Sequence, residues 1–158
     1  MRQFAAGDVP RNVRHIWAST ETKAIEAAGI LAGALGLGID VDAELGENDR
    51  RVAGFLPPAE FEQVADSFFA HPDKSIRGWE RATDAQARIV GAVTAIAARH
   101  RIGDLAIVGH GAVGTLLHAA YSGRPISRDG DQPFQGHYWT ASLPDLVPRH
   151  CWRAIAPR

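Results

Sequence analysis

Several features are scarce in this chain of 158 residues, and each absence excludes a class of protein. The single cysteine, Cys151, cannot form an internal disulfide, which fits the reducing cytoplasm, where we expect the protein to work. No apolar run approaches the roughly 18 residues of a membrane span, and the first residues lack the apolar core of a signal peptide. The formal net charge of −1 gives no general attraction to nucleic acid or to membrane surfaces.

The composition that remains is typical of one soluble globular domain. Apolar residues make up 46% of the chain, and its length is sufficient for a real core. The sequence shows no internal repeat and no low-complexity segment. We therefore treat residues 1–158 as a single domain.

Apolar periodicity and turn residues predict an alternation of strands and helices. The predicted strands cover residues 13–18, 39–41, 104–109, 137–143 and 151–155. The predicted helices end near residues 35, 70, 100 and 121. The order β-α-β-α-α-β-α-β-β indicates an α/β protein with a mainly parallel sheet covered by helices and an antiparallel pair at one end.

The stretch 104–117 is the most informative part of the chain. Its apolar beginning predicts a buried strand, and after Gly109, His110 and Gly111 an apolar stretch suits a helix to about Tyr121. A strand that turns through glycine into a helix presents free N–H groups and the positive end of the helix dipole to an anion. Ligands of open α/β sheets bind at this position, which favours a functional role for His110 over a histidine that only closes a turn.

The same stretch admits a second interpretation. Gly109, Gly111 and Gly114 match G-x-G-x-x-G, the fingerprint of dinucleotide-binding domains. That motif requires an acidic residue at the end of a second strand about 20 residues later. Residues 127–133 instead form a polar stretch, and too few residues follow to complete such a domain. This alternative is therefore the less favoured one.

A similar strand-to-helix turn is predicted near the start of the chain. Ser19 follows the strand 13–18 and is a suitable N-cap for the next helix. Lys23 lies in the first turn of that helix, where a cation opposes the helix dipole. The spacing leaves two possibilities open: Lys23 pairs with Glu26 in solvent, or it faces an anion held at the same N-terminus.

Three segments together resemble the histidine phosphatase superfamily, the phosphoglycerate mutase-like proteins. Residues 16–28 look like the family's S-P-L-x-R-A-x-x-T-A stretch, and residues 43–47 are similar to its L-x-E loop. Residues 107–113 look like the V-x-S-H-G-G motif around the family's second histidine. Weaker support comes from residues 78–88, which resemble G-E-S followed by aspartate and arginine.

The resemblance implies a three-layer α/β/α sandwich whose first strand is missing here. In the family, a histidine in an Arg-His-Gly motif at the end of that strand attacks phosphorus, and this chain has no such motif. Arg14-His15 is not its equivalent, because it lies inside the strand 13–18. In the family this strand lies inside the sheet beside the equivalents of strands 13–18 and 104–109, so we expect an N-terminally truncated domain, with a degenerate relative as the alternative. Three outcomes are open for the sheet: the two strands close up and pair directly, a second copy fills the gap, or the chain is only marginally folded. Open strand edges would then favour a homo-oligomer.

The resemblance also implies an anion pocket at the carboxyl edge of the sheet. His110 would stabilise charge on the transferring phosphoryl group, and Glu47 would be the acid, with Glu44 as a substitute. The family's arginine is replaced by Lys23, which can neutralise a phosphate but cannot grip it with two parallel hydrogen bonds. The residues expected to bind phosphate are Lys23, Ser19 and Gly111.

The expected function is that of a phosphatase- or phosphomutase-like domain that acts on or binds a small phosphorylated compound. We expect it to be inactive or weak, because the nucleophilic histidine is absent. No metal, cofactor, nucleic acid or membrane partner is expected. The alternative is a non-catalytic phosphate-binding or interaction module. The motifs do not identify the substrate.

Overall fold

The computed structural model describes residues 1–156. The helices are α1 (Arg2–Ala5), α2 (Thr22–Leu35), α3 (Pro58–Ala70), α4 (Ala82–Arg99) and α5 (Gly111–Tyr121). The strands are β1 (Val13–Ala18), β2 (Asp40–Val41), β3 (Asp104–Val108), β4 (His137–Tyr138) and β5 (Arg153–Ala154). Short 3-10 helices lie at Ala43–Leu45, Arg51–Ala53 and Arg128–Gly130. No helix in the described range combines the length and apolar character that crossing a membrane requires.

The central sheet consists of three parallel strands in the order β2-β1-β3. In its middle strand, Trp17 is opposite Asp40 of β2 and Ile107 of β3. Strands β4 and β5 form a separate antiparallel pair. The α/β class and the mainly parallel sheet are therefore confirmed. The predicted strands 137–143 and 151–155 shorten to two residues each.

The pairing of β1 and β3 decides between the three outcomes expected for the sheet. Strands β1 and β3 pair directly with each other, so no gap lies between them. Buried backbone groups need partners, and two adjacent apolar strands satisfy each other in this way. The outer side of β3 is an edge of this sheet, and residues 105–108 are only partly buried there despite their apolar side chains.

Apolar side chains cover both faces of the sheet, as the alternation along β1 requires. Ile16 and Ala18 point to one face and pack with Ala28 and Leu31 of α2. Trp17 points to the other face and packs against the cluster formed by α3, α4 and α5. The sheet therefore lies between two helical layers, which is the predicted sandwich.

Helix ends place two N-termini at one edge of the sheet. Helix α2 begins at Thr22 with Glu21 as its N-cap, so Ser19 is not the cap that the sequence predicted. It ends at Gly36, whose left-handed conformation (φ 67°) matches the predicted stop. Helix α2 follows β1 and helix α5 follows β3. Because β1 and β3 are parallel and adjacent, both helices start at the same edge of the sheet, where these strands have their carboxyl ends.

Candidate active site

The N-terminus of α5 forms the centre of the candidate site. Strand β3 ends at Val108, and His110 precedes the helix as its N-cap in an extended conformation (φ −130°). The His110 side chain is only 2% exposed. A side chain at Gly111 would collide with the amide of Gln132, so glycine permits this close approach. The strand, turn and helix predicted around His110 are therefore present.

The carboxylate of Glu47 lies on the first turn of α5. Its Oε1 atom accepts a hydrogen bond from the Val113 N–H at 3.1 Å, and its Oε2 atom accepts one from the Ala112 N–H at 3.4 Å. Oε1 also accepts from the Asn48 N–H at 3.2 Å. A carboxylate at a helix N-terminus stabilises it by about 0.3–1 kcal/mol. The N–H groups predicted to face an anion thus bind one that belongs to the protein itself.

Glu21 connects His110 to both neighbouring segments. The His110 Nε2 atom lies 2.6 Å from Ser19 Oγ and 3.2 Å from Glu21 Oε1. Ser19 is fully buried, and its Oγ accepts a hydrogen bond from the Glu21 N–H at 3.3 Å. Glu21 Oε1 also accepts from the Glu47 N–H at 2.8 Å. Ser19, His110 and Glu47 therefore meet around one carboxylate.

Lys23 joins this group at its solvent-exposed side. Its Nζ atom lies 3.4 Å from Glu21 Oε2, and its side chain is 62% exposed. The sequence left Glu26 as a possible partner, but the ion pair that the structure shows is with Glu21. An exposed pair of this kind contributes about 0–1 kcal/mol to stability, so Lys23 adds little to the fold.

The electrostatics of the site favour a neutral imidazole beside an ionised carboxylate. Burial lowers the pKa of His110; the carboxylates of Glu47 and Glu21 oppose this, and the cations of Lys23 and Arg50 add to it. The net pKa lies below the ordinary value of about 6.5. Burial alone would raise the pKa of Glu21, but the Glu47 N–H and the charges of His110 and Lys23 outweigh it and lower that pKa.

A half-buried ion pair holds the segment that carries Glu47. Arg88 donates to both carboxylate oxygens of Glu80 at 3.0 and 2.8 Å. It also donates to the carbonyls of Glu44, Gly46 and Glu47 at 2.7, 3.0 and 3.3 Å. Hydrogen bonding to Glu80 raises the pKa of Arg88 against the effect of burial, so the guanidinium stays charged. The Glu44 side chain is exposed, and Glu47 rather than Glu44 reaches α5.

Sequence reasoning did not identify Glu21 or Arg50 as parts of this site. Glu21 lies two residues before Lys23 in the same motif, but nothing in the sequence marks it as a partner of His110. The Arg50 guanidinium lies over the rings of Phe61 and Trp79, with its carbon 5.2 and 5.3 Å from the ring centroids. These rings are distant in sequence, and no local spacing predicts the contact.

The structure does not support the dinucleotide alternative. Within residues 1–156 no strand lies between α5 and β4, where that fold needs its second strand. Asp131, near the position of the required acidic residue, accepts a hydrogen bond from the buried Thr115 hydroxyl at 2.8 Å. Its carboxylate therefore has a structural partner.

Several solved structures share this fold. Bacillus stearothermophilus YhfR is 24% identical, with a TM-score of 0.72 over 95% of this chain and 77% of that chain. The complex of mycobacterial glucosyl-3-phosphoglycerate phosphatase with inorganic phosphate is 21% identical, with a TM-score of 0.70 over 96% of this chain and 81% of that chain. Phosphoglycerate mutase from Bacillus anthracis is 18% identical, with a TM-score of 0.54 over 77% of this chain and 65% of that chain.

A family model settles what these likenesses leave open. At such low identities the solved structures show a common fold alone, and no curated protein matches the sequence. The model of the histidine phosphatase superfamily, branch 1, matches residues 2–140, which include β1, β3, α5 and every segment that meets around Glu21. The chain therefore belongs to the histidine phosphatase superfamily.

Proposed function

We propose that this domain binds the phosphate group of a small phosphorylated compound at the carboxyl edge of its sheet. The observation that carries the proposal is the convergence of His110, Glu47 and Lys23 at the start of α5. Family membership supports it, and so does the fold relative that was solved with inorganic phosphate. The substrate class is a phosphomonoester.

Each residue has a role that its position suggests. The N–H groups at the start of α5, that of Gly111 among them, would donate to phosphoryl oxygens. Lys23 supplies an exposed cation, and the neutral His110 ring can donate one N–H without adding charge. Ser19 is fully buried and its Oγ lies 2.6 Å from His110 Nε2, so we propose that it orients the His110 ring at the phosphate site.

Turnover is proposed to be weak in this chain. A phosphohistidine mechanism of the family type needs a nucleophilic imidazole beside the bound phosphate. His15, the histidine nearest to Ser19 in the sequence, lies in β1 and contacts His100, with their Nδ1 atoms 3.3 Å apart. Glu47 would act as the acid only after leaving α5 and taking up a proton. Binding without turnover, as in a non-catalytic phosphate-binding module, is therefore the second candidate.

Ser19, His110 and Glu21 have the residue types of a Ser-His-acid triad, but their geometry differs. A triad needs the hydroxyl on one ring nitrogen and the carboxylate on the other. Here both groups lie next to Nε2, and the serine is fully buried. A serine nucleophile is therefore not favoured.

Calorimetric titration with inorganic phosphate tests the proposal. Lys23→Ala and His110→Ala should each weaken binding about tenfold or more, as expected for loss of a hydrogen bond to a charged group. Arg11→Ala is the control, because this exposed arginine precedes the amino end of β1 and pairs with Asp8. Wild-type protein that binds no phosphate, or equal affinity in all variants, would refute the proposal.

A parallel assay follows hydrolysis of p-nitrophenyl phosphate. We expect little or no turnover and no phosphohistidine after labelling and a rapid alkaline quench, which would preserve its acid-labile P–N bond. Fast hydrolysis that His110→Ala abolishes would show that His110 itself is the nucleophile. Phosphate binding without hydrolysis would favour the non-catalytic module.

A further inference from the structure

The guanidinium of Arg50 differs from those of the arginines around it. Among residues 1–156, no hydrogen bond or ion pair engages the Arg50 side chain, which lies over the rings of Phe61 and Trp79. Six other arginines have carboxylate partners: Arg11, Arg51, Arg77, Arg81, Arg88 and Arg128. Aromatic rings hold a guanidinium by its face, and this leaves its in-plane N–H donors uncommitted.

Arg50 lies close to the candidate phosphate site. It follows Glu47 by three residues, and Glu47 contacts the first turn of α5. The backbone between them is fixed, since the Asp49 N–H donates to Glu80 at 3.0 Å and Arg88 holds the carbonyl of Glu47. The Arg50 charge also contributes to lowering the pKa of His110, as a nearby cation must.

Asn48 in the same segment adds a second observation. The residue is 3% exposed, and neither its Oδ1 nor its Nδ2 atom has a hydrogen-bond partner. Buried amides are almost always hydrogen-bonded, because an unpaired one loses its contacts with water and gains nothing in return. An amide and a guanidinium two residues apart are thus both available to a ligand.

We propose that Arg50 is a phosphate ligand of this site, whose guanidinium grips two phosphoryl oxygens while the Asn48 amide donates to the same group. This inference rests on the proposed function. Arg50 would supply the two parallel hydrogen bonds that Lys23 cannot make. A lysine offers a point charge, whereas the planar guanidinium of an arginine matches the geometry of phosphate. The ligand would then lie between α5 and the segment 47–50, with Trp79 behind the guanidinium.

Titration of the full chain with inorganic phosphate tests Arg50 against its neighbour. Arg50→Gln should weaken phosphate binding about 10- to 100-fold, and Arg50→Lys should restore only part of the affinity. Arg51→Gln is the matched control, because it removes the same charge from the same loop but from a guanidinium already paired with Asp49. It should change the dissociation constant less than about twofold.

A spectroscopic measurement on the wild-type protein removes any dependence on how the variants fold. In ¹⁵N NMR spectra, the Arg50 Nε–H signal should shift as phosphate is added, while the Arg51 signal stays in place.

Equal affinity losses in Arg50→Gln and Arg51→Gln, or an unmoved Arg50 signal at saturating phosphate, would overturn the assignment of Arg50. If Lys23→Ala still weakens binding in that case, the proposed function stands without Arg50. Wild-type protein that binds no phosphate would overturn both.

Asn48→Leu gives a separate test of the amide. Replacing an unpartnered buried amide by an apolar side chain of similar shape should leave the thermal midpoint unchanged or raise it. Phosphate affinity should fall about tenfold in the same variant. A lower midpoint together with unchanged affinity would show that Asn48 serves the fold, and would remove it from the proposed site.

Discussion

Arg88→Ala is the substitution whose effect can be worked out most fully from the structure. Arg88 and Glu80 have side chains that are only 19% and 18% exposed. Removing one partner of a buried ion pair costs about 3–5 kcal/mol, because the other charge stays buried without a partner. Partial exposure places this pair near the lower end of the range. The substitution should therefore destabilise the protein by about 3 kcal/mol, or about 6–12 °C in Tm for a domain of this size.

The same substitution should also act on the site. Without Arg88 the carbonyls of Gly46 and Glu47 lose their donor, so the segment 47–50 is held less firmly. We expect weaker phosphate binding in Arg88→Ala even under conditions where the variant is fully folded. Urea unfolding and phosphate titration measure the two effects.

Arg81→Ala is the control for this experiment. Arg81 forms a hydrogen-bonded pair with Asp84 in which both side chains are about half exposed. Its loss should change the free energy of unfolding by at most about 1 kcal/mol. Destabilisation of Arg88→Ala no greater than that of Arg81→Ala, with unchanged phosphate affinity, would refute the role given to Arg88.

Four further outcomes are expected. The pKa of His110 lies below its ordinary value of about 6.5, so its contribution to stability should be complete above about pH 6.5 and lost as the pH falls below it. Urea unfolding of His110→Gln at several pH values should lack this part of the pH dependence. Glu47→Gln should tighten phosphate binding about two- to fivefold in calorimetry, because a competing carboxylate leaves α5. In thermal melts Gly103→Ala should destabilise far more than Gly123→Ala: both glycines have positive φ (72° and 63°), but only a Cβ at Gly103 meets other atoms, 2.7 Å from the Asn12 carbonyl oxygen. Self-association stays a prediction, now through the outer edge of β3, and light scattering at several concentrations should show mass rising with concentration.

The elements of this fold could be predicted from the sequence to a large extent. The strand 104–109 and the helix to Tyr121 are present as β3 and α5, and Gly36 ends α2 as expected. These features depend on local information, since burial gives apolar residues the period of the element they form. The short length of β4 and β5 was harder to predict, because ladder pairing depends on the partner strand as well.

Contacts between distant segments were not predictable in the same way. The sequence pattern alone did not show that β1 and β3 are neighbours, and the resemblance left their direct pairing as one of three outcomes. Resemblance did bring Ser19 and His110 into one expected site, but not the carboxylate of Glu21 between them. Which side chain occupies a helix N-terminus is decided by loop paths, and periodicity carries no information on those.

The hydrogen bonds between Glu47 and the start of α5 make ligand capture an exchange reaction. An incoming phosphate reaches the N–H groups of Ala112 and Val113 only by displacing a carboxylate that already neutralises them. A monoanion such as acetate gains little by this replacement, whereas a phosphate dianion brings more charge to the same donors. Selectivity then comes from the difference in how strongly these N–H groups bind Glu47 and the incoming anion. Affinity for a phosphomonoester should rise as the pH passes its second ionisation, at about 6.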